Sequence, residues 1–286
     1  MEYIRVFQSQ QDAEQQLAQI THPTLSAVRG GGFIGLRPGG SPVPPGPDYS
    51  EPFYIDVRGA VTLVATSGLQ MSTDKTNWTD TTAMILPTGK TYFRVATDQS
   101  TPLQPNWTED SNSDYDIGGN INSLVKTSFE NDTTCYKFYS NYEGFFQGKS
   151  KIKSAGGLIL PATTLINECY ASMFRGCTSL TTAPALPATT LAIGCYDGMF
   201  YECTALTATP ELVATILVED CYIEMFKGCE SLNEITIYAN DISADSCLND
   251  WVYNVANEGT FNNMGSAIYP VGSSGNPWRS GPGPLV

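Results

Sequence analysis

Eight cysteines and a single histidine limit the chemistry open to this chain. The cysteines are Cys135, Cys169, Cys177, Cys195, Cys203, Cys221, Cys229 and Cys247. Cys169, Cys195, Cys221 and Cys247 follow one another at 26 residues, and so do Cys177, Cys203 and Cys229. An even count invites a disulfide framework. Yet equivalent positions in stacked repeats are interior positions, and free cysteine is among the most buried residue types. Buried thiols, kept reduced by cytoplasmic synthesis, are the expectation. Zinc would need paired cysteines or histidine ligands; there is no C-x-x-C, and His22 is far from the columns.

Asp110, Asn112, Asp114 and Asp116 alternate like the start of a calcium loop and form the one candidate metal site. Tyr115 stands where such a loop needs glycine, and Ile121 where it needs glutamate, so a solvated acidic loop is expected first and calcium second. Gly30, Gly32 and Gly35 spell G-x-G-x-x-G. A phosphate cradle requires a helix to begin there, and Leu36-Arg37-Pro38 begins none, so the motif reads as a turn. The lone histidine removes most nucleophile–base triads. Glu168, Asp220 and Glu224 read as acids outside any column, which leaves only a carboxylate pair from different loops for a polysaccharide depolymerase. No catalytic or cofactor-binding residue is assigned, and the chain is not expected to be an enzyme. The sequons at Asn77, Asn106 and Asn131 carry meaning only on a secretory route.

The cysteine columns belong to a 26-residue repeat running from Leu160 to Ile237. Leu160, Leu186 and Leu212 open its three copies; Tyr170, Tyr196 and Tyr222 share one column, and Phe174, Phe200 and Phe226 another. A strict period of this length marks a solenoid, in which each unit buries its apolar side against a neighbour. Cys247 and Trp251 begin a degenerate last rung. Phe145-Phe146-Gln147-Gly148 with Ile152 form a degenerate first one, offset by two further residues. The solenoid is thus expected from Cys135 to about Phe261. Within a unit, 167–176 reads as a helical or turn segment with Cys169, Met173 and Cys177 inward. Thr178 to Pro184 reads as a short strand with Leu180 inward and threonines on an exposed ladder, a solvated face before a glycan-binding one.

Among the 286 residues, 41% are hydrophobic and 11% aromatic, which suits packed cores. Only 15% are charged, and the net charge is −14, which argues against nucleic acid and anionic membrane surfaces as partners. No apolar run is long enough to span a bilayer. The stretch after Met1 is too polar for a signal peptide, so no export signal is expected. Such a composition without export suits a virion, which assembles in the cytoplasm and works outside.

In chain order, residues 1–37 read as a small βαββ unit. It is too short to be stable alone, and is therefore expected to dock on a sister subunit or on a particle. Residues 38–48 are a Pro/Gly linker of extended geometry. Residues 49–120 read as an Ig-like β-sandwich, with strands at 53–57, 60–64, 69–72, 82–86 and 92–96 and Trp78 covering a sheet. Residues 121–264 form the solenoid with its end caps. Residues 265–286 are a Gly/Pro-rich tail, with Trp278 folding over the last rung. The fold class is mostly β with short helices.

The units L-P-A-T-T-L…C-Y-x-x-M-F-x-x-C-T-x-L resemble the BspA-like leucine-rich repeats of gut Bacteroidales and their phages. Gln70 to Thr79 is similar to a hairpin of the β-domain that precedes such arrays, and Gly119 to Leu124 to the joint between the two. Asp241 to Ala244 with Trp251 and Gly259 to Phe261 resembles their C-terminal cap, while the ending after it departs from the common one. The N-terminal unit resembles entry segments of crAss-like phage proteins. The resemblance implies a non-enzymatic virion surface protein, a head fibre ahead of a tail appendage, held by residues 1–37. Its β-domain and solenoid would project toward host-surface glycans or proteins. An exported bacterial adhesin is the alternative. A base too small to fold alone also implies a homo-oligomer, a trimer before a dimer.

Overall fold

The computed structural model describes residues 47–140 and 143–269. The unit expected at 1–37 with its glycine motif, the linker up to residue 46, and the tail beyond 269 with Trp278 lie outside the described residues. From Tyr49 onward the described residues form one compact unit. It is mostly β. Among the described residues, helix is limited to a single 3-10 turn at Ile121–Leu124, so of the short helices in the expected fold class only this turn is present, and the repeat segment read as helix or turn takes the turn form.

Eight strands precede that turn: β1 (Tyr54–Val57), β2 (Val61–Val64), β3 (Leu69–Ser72), β4 (Thr79–Asp80), β5 (Met84–Ile85), β6 (Gly89–Val95), β7 (Asn106–Glu109) and β8 (Tyr115–Asn120). Alternation decides their faces: Val61 and Leu63 are buried, Thr62 and Val64 exposed. All five expected strand regions contain a strand, while β4, β7 and β8 are additional. β8 takes over half of the supposed acidic loop, because Tyr115 and Ile117 alternate with Asp116 and bury completely or nearly so. β5, β2 and β7 make a three-stranded sheet. The larger sheet runs β11-β8-β1-β6-β3-β4, where β11 is Ile152–Ile159.

β11 is where the architecture changes. Every other pairing in the two sheets is antiparallel, but β11 lies parallel to β8, and its Ser154 bridges in parallel to Thr182 of the first full repeat. The large sheet therefore continues into the repeats without a break at residue 120. Polar side chains close the seam. Asn120 Nδ2 donates to the carbonyls of Tyr49 and Phe129, and Asn122 Nδ2 to those of Asp132 and Thr134. Ser123 Oγ accepts from Phe53 N at 2.9 Å and donates to Phe93 O at 3.0 Å. Their own polar groups are thereby largely met inside an apolar core, which makes burial affordable.

Beyond the seam, the three copies and the degenerate fourth rung stack in register. Phe146, Phe174, Phe200 and Phe226 form one column, with successive ring centroids 5.4, 5.5 and 5.5 Å apart. Phe138, Tyr170, Tyr196 and Tyr222 form a second at 5.8, 5.9 and 6.0 Å. Trp251 closes the far end against Phe261 and Tyr269. The cysteines have no disulfide partner, and all but the half-buried Cys135 are buried. Thiols of the second column tie rungs together: Cys203 donates to Phe174 O at 3.1 Å and Cys229 to Phe200 O at 3.0 Å.

The segment expected as helix or turn is a run of successive turns. N–H groups at Cys169, Ala171, Met173, Arg175 and Cys177 each close on the carbonyl three residues back. Those between them reach the next rung instead: Tyr170 N donates to Cys195 O, Ser172 N to Asp197 O and Phe174 N to Met199 O. The backbone turns left-handed at every fourth residue, at Glu168, Ser172 and Gly176, then again at Gly194, Gly198 and Glu202, and at Asp220, Glu224 and Gly228. A left-handed non-glycine residue costs about 1–2 kcal/mol. Here the turns let every second N–H pair with the next rung, which a helix would forbid. Cys169, Met173 and Cys177 do face inward, fully buried, but through the four-residue period of the turns.

The strand expected after each turn run forms fully only in the third copy, as β12 (Glu234–Ile237), paired in parallel with β13 (Thr260–Asn263). Pro184 and Pro210 occupy the column of Thr236. Proline has no N–H to extend a ladder, so the earlier copies make isolated bridges instead. Two short strands, β9 (Tyr139–Ser140) and β10 (Glu143–Gly144), form a separate hairpin before the first rung.

Candidate functional site

The inward side chains of the stack are buried among one another, and its polar groups line the walls. The residue before the last left-handed position of each rung faces outward: Arg175, Tyr201, Lys227 and Tyr253. Cation and aromatic ring thus alternate up one column. The Arg175 guanidinium lies 3.9 Å from the centre of the Tyr201 ring, and the Lys227 ammonium 5.5 Å from that of Tyr253. Both are cation–π contacts, which hold a long side chain flat against its neighbour.

Carboxylates flank this column. Lys227 Nζ pairs with Glu224 Oε1 at 2.6 Å and Asp250 Oδ2 at 3.1 Å, and these hydrogen bonds raise its pKa. Burial pushes the Asp197 carboxyl up to about 6, and Glu224 and Asp220 add to the shift while Arg175 opposes it. Between Tyr201 and Tyr253 lies a groove of about 270 Å³ lined by Glu202, Lys227, Glu230 and Asn254, with Thr178 and Thr204 at its foot. Tyr253 is 47% exposed, with the Lys227 ammonium over one face of its ring. The acids read from sequence as outside any column are in fact aligned: Glu168 and Asp220 share one with Gly194 between them, and Glu224 shares another with Asp250. The outward columns were visible in the 26-residue register, but inward cysteines and aromatics dominated the pattern.

The four residues of the candidate calcium loop are not brought to a common centre. Asp114 and Asp116 are both taken by Arg58, at 2.8 and 2.6 Å. Asp110 accepts from Asn112 N at 2.7 Å within its own turn. Among the described residues no group of three or more acidic, cysteine or histidine side chains has metal-binding geometry. Trp78 lies on the large sheet as expected, with the Arg94 guanidinium 4.1 Å above its ring and its indole N–H donated to Lys75 O. The threonines beside the expected strand are exposed, Thr178, Thr181 and Thr182 in the first copy and Thr207 in the second; Thr163, Thr164, Thr189 and Thr190, at the opening of the copies, also face water and are joined through backbone bonds between rungs.

The thiols are shielded from chemistry. Burial raises Cys195 and Cys229 to about 12, so neither is a thiolate at neutral pH. Cys135 is the exception; a hydrogen bond with Cys169 lowers its pKa, and it is only partly buried. No helix among the described residues is long and apolar enough to cross a membrane. No family model, curated protein or solved structure matches this chain.

Proposed function

We propose that this chain is a non-catalytic structural protein of a bacteriophage virion, a head fibre ahead of a tail appendage. Residues 1–37 attach it to the particle. The two-sheet region reads as an Ig-like β-sandwich and the stack as a BspA-like leucine-rich-repeat solenoid, both projecting outward to meet host-surface glycans or proteins. The observation that carries this reading is the stack itself: aromatics and thiols are buried in its interior, and a groove lies on its outer wall. A hydrolase needs a carboxylate kept protonated by burial. Glu202 and Glu230 in the groove are exposed to water, which speaks for binding rather than cleavage.

The unpaired, buried cysteines support assembly in a reducing cytoplasm and weigh against an exported bacterial adhesin. The test is the composition of purified particles. Mass spectrometry is expected to find the chain there, and gold-labelled antibody against the stack is expected to decorate the particle surface. Native mass measurement on the same protein is expected to read a homo-oligomer, a trimer before a dimer. Particles that lack the chain remove the reading.

A further inference from the structure

We propose that the groove between Tyr201 and Tyr253 is a subsite for an uncharged glycan laid along the axis of the stack. This rests on the adhesion reading above and names the ligand of its wall. A sugar ring offers a flat C–H face that packs on an aromatic ring and a rim of hydroxyls that donate to carboxylates and amides. The groove has both kinds of partner. Tyr253, nearly half exposed at the end of its column, is the main platform through the face opposite the Lys227 ammonium, just as Arg175 covers one face of Tyr201. Glu202 and Glu230 form no ion pair among the described residues and stand as acceptors, and Asn254 offers both a donor and an acceptor.

Charge selects among glycans. The one ammonium in the groove is already held by Glu224 and Asp250, at 2.6 and 3.1 Å. What remains toward solvent is the negative charge of Glu202 and Glu230, which repels uronic acids, sialic acids and phosphorylated sugars. Spacing fits as well. Tyr201 and Tyr253 stand two rungs apart, about 10 Å at sheet spacing, the length of a disaccharide in an extended chain. A groove with two rings at that repeat accepts a linear glycan whose alternate residues present the same face.

The test is calorimetric titration of the full chain with neutral oligosaccharides of four or more sugars, beside a uronic-acid oligomer and a lysine-rich peptide. Saturable binding of at least one neutral glycan is expected. Tyr253→Ala should weaken it about tenfold or more through loss of the ring contact. Glu230→Gln should weaken it less while improving binding of the uronic-acid oligomer. Both positions are exposed, so unchanged thermal melting shows that the variants fold. Failure to bind any neutral glycan, preference for the acidic oligomer or the peptide, or indifference to both substitutions overturns the proposal. None of these outcomes bears on whether particles contain the chain, so the virion reading stands or falls separately.

Discussion

In the two-sheet region a core residue is placed by its partner across the strand; in the stack it is placed by its own copy one rung away. Phe93 of β6 lies opposite Met71 of β3 in register and packs at 6.2 Å on Phe53, which precedes β1, so its neighbours come from unrelated positions in the chain. Phe200 lies between Phe174 and Phe226, 5.5 Å from each, the same residue type in the same column. A non-repeating core must solve each contact separately. A repeating one solves a rung once and copies it, so its stability grows as a sum of neighbour contacts. The comparison also shows where the two solutions must agree. Phe146 belongs to both: it stacks on Phe174 at 5.4 Å and on Phe53 at 5.7 Å, and lies 6.3 Å from Trp107. Around it, Lys149 Nζ donates to Trp107 O at 2.6 Å, and Trp107 Nε1 donates to Tyr115 OH at 2.7 Å.

The strongest way to break this comparison is at that shared ring. Phe146→Ala should cost about 3–5 kcal/mol, the usual loss for a buried aromatic. Denaturant unfolding followed by tryptophan fluorescence and by far-ultraviolet dichroism should show both signals shifting together. Two separate transitions would mean that the regions are independent cores joined by a strand.

Glycines sharpen the contrast at a smaller scale. Gly119, at the seam, has φ +75°, and a Cβ there would meet the Pro52 carbonyl oxygen at 2.0 Å. Gly198, in the stack, has φ +54° with its nearest neighbour at 3.6 Å, and Ser172 and Glu224 already occupy its column. Gly119→Ala should cost about 3 kcal/mol or more, from backbone strain and overpacking together. Gly198→Ala should cost about 1 kcal/mol, from strain alone. Equal losses in thermal melting would refute the idea that a rung tolerates at one copy what it accepts at another.

The smallest effect expected is a pH dependence confined to the wall. The Asp197 carboxyl is raised from 3.8 to about 6, so the folded chain holds that proton more tightly than the unfolded one. Its favourable contribution is complete below the unfolded value and is lost as pH rises through about 6. Asp197→Asn should therefore raise stability at neutral pH and flatten the fall between about pH 4 and 6. Melting curves across that range check it; an unchanged slope shows that solvent screens the acidic neighbours.

The repeat was the most legible part of the chain. Its register, its inward cysteines and aromatics, and both degenerate end rungs follow from spacing, because only stacked copies can bury the same column repeatedly. The strands at 54–57, 61–64 and 69–72 were legible from alternation for a similar reason. β8 was hidden because Asp114 and Asp116 made its start look like an acidic loop, and nothing local announces that Arg58 pairs with both. The side-wall groove was hidden too. Its column changes residue type from rung to rung, from Arg175 to Tyr201 to Lys227 to Tyr253, so no two adjacent copies share a letter there.

Amino-acid order alone determines that the 26-residue copies lie one on another, since an apolar face repeated at fixed spacing has no other way to leave water. Only the tertiary structure decides how each copy turns and how the stack begins. A spacing of four suits a helix and a chain of left-handed turns equally. The turns prevail because they free alternate N–H groups for the next rung, a partner absent from any isolated copy. β11 likewise joins the first rung to the large sheet by pairing with β8, a strand more than thirty residues away at its start, which no local pattern encodes.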